Sequence, residues 1–176
     1  MTTTPMLDLD AFVRDVPDFP KPGIMFKDIS PLLQDATAFS TAIDRLVAHY
    51  RPLDLDYVVG IESRGFLVGA PLAYHLGKGF IPVRKPGKLP ARTEAIEYAL
   101  EYGSGTLEIH ADALAPGQRL LVVDDLLATG GTVAATRALV ERLGGQVVAA
   151  GFLIELGFLN GRERLPGLDV HALLTY

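Results

Sequence analysis

The sequence has no cysteine among its 176 residues, which excludes disulfide bonds and thiolate chemistry. It also has no apolar run of membrane-spanning length, so we expect no transmembrane helix. The N-terminal MTTTPMLDLD lacks the charged and apolar regions of a signal peptide, and we therefore expect a cytoplasmic location. Basic charge is in the minority, with 16 Lys and Arg against 21 Asp and Glu. The resulting net charge of −5 disfavours a general nucleic-acid-binding protein.

Internal repeats, low-complexity tracts and interdomain linkers are absent as well. A chain of this length with 49% hydrophobic residues can bury a sizeable core, so we expect one domain spanning residues 1–176. The histidines have no metal-ligand spacing, and we interpret all four as structural: His49, His75, His110 and His171.

The most informative segment that is present is residues 120–132, LLVVDDLLATGGT. The continuous apolar run of residues 120–123 predicts a strand that is covered on both faces of a parallel sheet. Asp124 and Asp125 follow, and we expect them at the carboxyl end of that strand. Open α/β sheets bind their ligands at this end.

A loop of small and hydroxyl-bearing residues comes next, and residues 133–143 then have helical spacing. The loop consists of Ala128, Thr129, Gly130, Gly131 and Thr132. Such a loop at a helix N-terminus presents backbone N–H groups to an anion, and the two carboxylates suit a neighbouring diol. The loop has no lysine and no GxxxxGK[ST] spacing, which argues against a nucleotide triphosphatase. The alternative is an ordinary glycine-rich turn with an aspartate pair as a helix cap.

The N-terminal part of the chain predicts a short helix over residues 9–16, a loop over residues 19–29 and a helix over residues 37–50. The loop is too apolar for a solvated connector because of three residues, Ile24, Met25 and Phe26. It should therefore cover something, although a loop packed onto the core explains these residues equally well.

A second strand, turn and helix unit follows, with a strand predicted over residues 57–61. Arg64 lies in the turn after this strand, where its planar fork can clamp a phosphate; a surface ion pair is the alternative. A third strand over residues 79–84 leads into a basic, kinked loop, residues 85–90. From residue 96 onward, alternating polarity predicts an antiparallel ribbon. Two final strands are predicted over residues 146–156 and 170–176.

Four segments between residues 19 and 165 resemble the type I phosphoribosyltransferases, in the form that uses adenine. They are FPKPGI, the ESRG turn, RKPGKLP with the following LEYG, and LLVVDDLLATGGT. The resemblance implies a central, mostly parallel five-stranded sheet flanked by helices, with a small hood and a flexible antiparallel catalytic loop. It also implies that adenine and 5-phospho-α-D-ribose 1-diphosphate give AMP and diphosphate with Mg²⁺.

The same resemblance implies roles for individual residues. The donor and AMP would be bound by Asp124, Asp125, Ala128, Thr129, Gly130, Gly131 and Thr132. Arg64 and Lys88 would bind the diphosphate, and the adenine pocket would contain Ile24, Met25, Phe26 and Leu156. Glu101, in LEYG, would be the catalytic acidic residue, although strand alternation alone describes it as a solvated carboxylate. The Mg²⁺ would be carried by the donor's diphosphate and ribose without direct protein ligands, and the protein would be a homodimer.

Two other functions fit parts of this pattern. One is a phosphoribosyltransferase for another base, such as xanthine or orotate, which would share the donor motif and differ in the base loop. The other is a non-enzymatic regulator that binds the phosphoribosyl donor. The acidic charge argues against a regulator that binds DNA, and the FPKPGI and LEYG segments favour adenine over other bases.

Overall fold

The computed structural model describes residues 7–99 and 104–176. The chain divides into two compact units, of which the first ends at Arg45 and the second runs from Leu46 to Tyr176. Within the described ranges, none of the helices combines the length and apolarity that a membrane span requires.

The first unit begins with a hairpin instead of the helix predicted over residues 9–16. Asp10–Phe12 is a single 3-10 turn, and strand β1 (Arg14–Pro17) pairs antiparallel with strand β2 (Met25–Asp28). Two cross-strand ion pairs at 2.6 Å join these strands: Arg14 with Asp28, and Lys27 with Asp15. The helix prediction was wrong because pairing with a later segment outweighed the local helical spacing.

Strand β2 also occupies the end of the loop that was predicted over residues 19–29. The turn before it is closed by Asp18, whose carboxylate accepts a hydrogen bond from the Gly23 N–H at 2.7 Å. Helix α1 (Ser30–Gln34) follows and was not predicted, whereas helix α2 (Ala36–Tyr50) confirms the helix expected over residues 37–50.

The second unit contains a five-stranded parallel sheet, as predicted. In chain order its elements are β3 (Tyr57–Ile61), α3 (Arg64–Leu76), β4 (Gly79–Val83), β5 (Thr93–Ala99), β6 (Ser104–His110), β7 (Arg119–Leu127), α4 (Gly131–Arg142), β8 (Gln146–Glu155) and β9 (Asp169–Thr175). The spatial order of the sheet is β4-β3-β7-β8-β9, and all its neighbours are parallel. Strand β7 is therefore the middle strand, and the strand order reverses beside it.

The middle strands are largely apolar because helices cover both faces of the sheet. Residues 120–123 of β7 have no exposed surface. Helix α3 packs on β3 and β7, while α4 packs on β7, β8 and the β5–β6 hairpin. The strand order reverses between β3 and β7, which is the switch point of the sheet. The crossover through α3 and the crossover through α4 leave this point in opposite directions, and because both are right-handed, the two helices lie on opposite faces. Polar groups at the ends of β3 and β7 therefore meet at the switch point.

The predicted antiparallel ribbon is the β5–β6 hairpin, in which Ile96 pairs with Leu107. The hairpin joins the end of β4 through Arg84 and Glu108, whose backbone groups exchange hydrogen bonds of 2.9 and 2.7 Å. The basic 85–90 loop therefore begins just after β4, at the point where the hairpin joins the sheet.

Candidate active site

The two adjacent carboxylates lie inside the central strand. Strand β7 pairs with β3 only as far as Val123, but it pairs with β8 as far as Leu127. The expectation that the strand ends before Asp124 was wrong, because the ladder with β8 continues through the polar residues. The last part of β7 consequently has a hydrogen-bonded strand on one edge only.

Both carboxylates lie near the first turn of helix α3, because a β-carbon on Gly65 would be 3.0 Å from the Oδ1 atom of Asp124. On the α3 side, the Oδ2 atom of Asp125 lies 2.9 Å from the Nε atom of Arg64, and the Asp125 side chain is only 6% exposed. Asp124 lines a recess in front of α4. Burial raises the pKa of the Asp124 carboxyl well above its usual range, and the neighbouring charge of Asp125 raises it further. A carboxyl with such a pKa in a recess is typical of a functional site.

The recess is formed by the connection between β7 and α4. Its volume is about 70 Å³, and it is lined by Asp124, Leu126, Leu127, Ala128, Thr129, Gly130, Gly131, Thr132 and Val133. Every residue that the sequence assigned to the donor, except Asp125, lines this space. Helix α4 begins at Gly131, slightly earlier than predicted, and Gly130 before it has a φ of +78°. The first N–H groups of a helix have no partner within it, so this recess can bind an anion.

Gly161 supports the 128–132 loop from behind, and sequence reasoning missed this residue. A β-carbon on Gly161 would collide with the carbonyl oxygen of Ala128, and one on Gly130 would collide with the carbonyl oxygen of Gly161. Gly161 lies in a short 3-10 turn that is anchored by the ion pair between Arg162 and Glu155, with contacts of 2.6 and 2.7 Å. Its segment has the composition of an ordinary polar loop, so no local signal indicated this role.

Arg64 begins helix α3, and the neighbouring Gly65 brings that helix unusually close to β7. A β-carbon at Gly65 would lie only 2.8 Å from the carbonyl oxygen of Val123. This approach brings the Arg64 guanidinium to Asp125, so the ion pair considered for Arg64 is present. The Arg64 side chain remains 44% exposed beside the strand ends. The Glu62–Ser63 peptide bond before it is cis.

Lys88, the second predicted diphosphate ligand, is exposed in the 85–90 loop. Its carbonyl oxygen accepts a hydrogen bond of 3.2 Å from the Nη1 atom of Arg84. Glu101, the predicted catalytic residue, lies outside the described residues.

Three of the predicted adenine-pocket residues belong to the first unit, on and beside β2. Ile24 and Met25 are exposed, and the Phe26 ring meets the Phe19 ring edge to face at a centroid distance of 5.1 Å. An apolar recess of about 220 Å³ lies here, lined by Val16, Phe19, Phe26 and Asp28. The fourth residue, Leu156, is half-buried directly after β8 in the second unit.

Two of the four histidines, His49 and His171, take part in packing and in an ion pair. The rings of His49 and His171 stack with centroids 3.9 Å apart, and the Nε2 atom of His49 lies 3.1 Å from the carboxylate of Asp169. Within residues 7–99 and 104–176, no three acidic or histidine side chains form a cluster that could hold a metal ion.

Known proteins resemble this chain in sequence and in fold. The chain belongs to the phosphoribosyl transferase domain family, whose model matches residues 27–165. An adenine phosphoribosyltransferase from Desulfitobacterium hafniense is 59% identical over 170 residues, which cover 97% of this chain and 98% of that one.

Solved structures are similar over the same range. Adenine phosphoribosyltransferase from Thermoanaerobacter pseudethanolicus has 55% identity and a TM-score of 0.93, with 96% of this chain and 98% of that chain covered. The Saccharomyces cerevisiae enzyme, complexed with D-2,5-dideoxy-2,5-imino-altritol 1,6-bisphosphate and adenine, has 42% identity and a TM-score of 0.90, with coverage of 94% and 96%. The resemblance to type I phosphoribosyltransferases and the predicted fold class are thus confirmed.

Proposed function

We infer that this protein is an adenine phosphoribosyltransferase, a pentosyltransferase that converts adenine and 5-phospho-α-D-ribose 1-diphosphate into AMP and diphosphate. The observation that supports this most directly is the recess between β7 and α4. One carboxylate, two threonines and the N-terminal N–H groups of a helix surround it. This combination suits a sugar that carries both hydroxyls and a phosphate.

The donor is held by groups with different tasks. The 128–132 loop binds the 5′-phosphate through its backbone, and Asp124 accepts hydrogen bonds from the ribose hydroxyls. The sequence assigns Asp125 to the ribose as well. Its ion pair with Arg64 supports a further task, because it fixes the guanidinium at the strand end, from which Arg64 binds the diphosphate.

The reaction breaks the bond between the ribosyl carbon and the diphosphate while a ring nitrogen of adenine attacks that carbon. The ribosyl carbon becomes cationic, and the departing diphosphate gains negative charge that Arg64 and Lys88 neutralise. Glu101 accepts the proton that the purine loses. The apolar segment with Ile24, Met25 and Phe26 contacts the base, and Leu156 is assigned to the base by the sequence alone.

Mg²⁺ fits this arrangement as an ion that binds together with the donor. Mg²⁺ takes oxygen ligands and is commonly bound through one or two carboxylates together with substrate phosphates. The donor would carry the ion without direct protein ligands, and Asp124, the carboxylate that lines the recess, would accept hydrogen bonds from the ion's water shell. When bound, the ion neutralises charge on the diphosphate.

We also propose that the protein is a homodimer and that helix α3 contributes to its interface. Leu67, Ala70 and Tyr74 are exposed at helical spacing, with Tyr74 83% exposed, which forms an apolar stripe. Light scattering of the wild type and of Tyr74→Glu tests this, because the charge should shift the protein toward the monomer. A Tyr74→Glu variant with the wild-type mass would exclude this face.

Three further expectations from the sequence stay predictions. A single functional domain over residues 1–176 is supported by the family match, which extends across the boundary after Arg45. Cell fractionation tests the cytoplasmic location, and filter binding tests the expected lack of nucleic-acid binding.

The decisive experiment is nucleotide formation from the donor and a panel of bases. We expect adenine to be used far better than hypoxanthine or guanine, which present a ring N–H donor where adenine presents an acceptor. A buried polar edge with the wrong partner is rejected strongly. Comparable turnover of hypoxanthine would remove the specificity for adenine and leave the phosphoribosyltransferase activity standing. Donor binding without any turnover would instead favour the regulator.

A further inference from the structure

Glu62 connects two parts of the site that are separate in sequence. It lies immediately before Ser63 and Arg64, at the end of β3. Its Oε2 atom accepts hydrogen bonds from the Lys85 N–H at 2.9 Å and from the Nε atom of Arg84 at 3.2 Å. The Glu62 side chain is 13% exposed and that of Arg84 is 33% exposed, so their contact is partly shielded from water.

Arg84 extends this connection into the basic 85–90 loop. Its guanidinium also donates to the carbonyl oxygen of Lys88 at 3.2 Å and lies 5.8 Å from the centre of the Phe66 ring. From the hairpin side, Glu108 accepts a hydrogen bond from the Gly87 N–H at 3.2 Å. The backbone that carries Lys88 is therefore held from both sides.

The position of the Glu62 carboxylate has an electrostatic cost if a diphosphate binds nearby, because like charges repel. Its partners offset this cost: the hydrogen bond from the Lys85 N–H lowers the pKa of Glu62, and the charge of Arg84 lowers it further. The Glu62 carboxylate thus binds the N–H group of Lys85, at the start of the 85–90 loop, and the side chain of Arg84, the residue before that loop.

We propose that Glu62 is a positioning residue that fixes the loop bearing Lys88 to the turn bearing Arg64, so that both cations meet the diphosphate together. This inference rests on the proposed function for the identity of the ligand. A positioning role predicts that loss of Glu62 weakens diphosphate binding. Electrostatics alone predicts the opposite sign, because removal of a negative charge should strengthen it.

The test is calorimetric titration of the intact protein with inorganic pyrophosphate and, separately, with AMP, both in the presence of Mg²⁺. We expect Glu62→Ala to weaken pyrophosphate binding about tenfold and to leave AMP binding within about twofold of the wild type. Glu62→Gln should lie between the two proteins, because its amide oxygen can still accept the Lys85 N–H. In turnover assays the same variants should raise the donor KM while the adenine KM is unchanged.

Glu141→Ala is the matched control, because Glu141 also pairs with an arginine Nε atom, that of Arg137 at 2.8 Å, but on the outer part of α4. It should change neither affinity. Stronger or unchanged pyrophosphate binding in both Glu62 variants would overturn the inference, as would an equal loss for pyrophosphate and AMP. A wild-type protein that binds pyrophosphate but uses no base would refute the proposed function and leave the positioning role of Glu62 standing.

Discussion

The recess between β7 and α4, which we assign to the donor, and the β1–β2 hairpin, which we assign to the base, differ in how strongly the fold supports them. The recess lies between the middle strand β7 and helix α4, where the adjoining residues 120–123 are fully buried. The β1–β2 hairpin has only two strands, and its ion pairs are partly exposed, with Arg14 60% exposed. Two-stranded hairpins are marginal by themselves, and exposed ion pairs contribute little.

This difference suggests a division of tasks. A phosphate and a ribose are the same for every donor molecule, and a recess fixed by the core binds them with little reorganisation. The segment that we assign to the base has exposed side chains, Ile24 and Met25 among them, which lie outside the core. We therefore expect changes near β7 to alter donor affinity, and changes on the base side to alter turnover or base affinity.

The largest effect should come from Glu101→Gln on the base side. The amide keeps the size of the side chain but cannot accept a proton, so kcat should fall by roughly 10² to 10⁴ while the donor affinity stays unchanged. Single-turnover kinetics at saturating donor measures the chemical step. Glu97→Gln, in β5, is the matched control and should retain the wild-type rate. A wild-type chemical step in Glu101→Gln would assign this glutamate to the solvated face of the ribbon.

On the donor side, Gly130→Ala tests whether backbone contact shapes the recess. The new β-carbon would meet the Gly161 carbonyl, so the 128–132 loop must shift and donor binding should weaken at least about tenfold. Gly117→Ala is the control, because Gly117 has a similar φ of +85° with open space around it. Both variants place an alanine at a similar positive φ, but only Gly130→Ala adds a collision with the Gly161 carbonyl. The difference in donor Kd between the two variants therefore measures the effect of that collision. Equal donor affinities would show that the loop does not wrap the phosphate.

Asp124→Asn should separate donor affinity from stability. Loss of a charged acceptor for the ribose should weaken donor binding about tenfold. At neutral pH the same change should stabilise the ligand-free protein by on the order of 1 kcal/mol, or ~2–4 °C in Tm, because it removes one of two adjacent buried charges.

The pH dependence of this stabilisation follows from the raised pKa of Asp124. As pH rises from the ordinary aspartate value toward the raised one, the unfolded chain has released the proton that the folded protein still holds. Wild-type stability therefore falls through this window. The asparagine variant does not lose this stability, so the gap in Tm should close as pH is lowered toward about 4. A gap that stays constant with pH would indicate that the charge is not its cause.

Local sequence patterns predicted the elements whose periodicity is complete within one short segment of the chain. Strand β3 has the predicted bounds, Tyr57–Ile61, because a short apolar run between polar turns fits a buried parallel strand and little else. Helix α2 was also clear, because its apolar spacing continues over four turns. The same reasoning pointed to the loop after β7, where the structure has a recess; its role in donor binding stays a prediction.

Features that depend on distant partners were not predictable in this way. The continuation of β7 past Asp124 depends on β8, and the role of Gly161 depends on a carbonyl group more than thirty residues away. The helix predicted over residues 9–16 failed for the same reason, because β1 exists only through its pairing with β2. The pairing of Arg64 with Asp125 likewise requires the close approach of α3 to β7.

The smallest effect should come from Phe26→Leu, which tests the base side of the comparison directly. Leucine keeps an apolar side chain but removes the edge-to-face contact with Phe19, whose ring centroid is 5.1 Å away. Such aromatic pairs contribute about 0.5–1.5 kcal/mol, so the adenine KM should rise roughly two- to tenfold. The donor KM is the internal control and should not change, because the recess between β7 and α4 is built without this hairpin. Initial rates measured with each substrate varied in turn decide the outcome. A parallel rise of both KM values would show that the hairpin supports the donor site as well, and the proposed division of tasks would then be wrong.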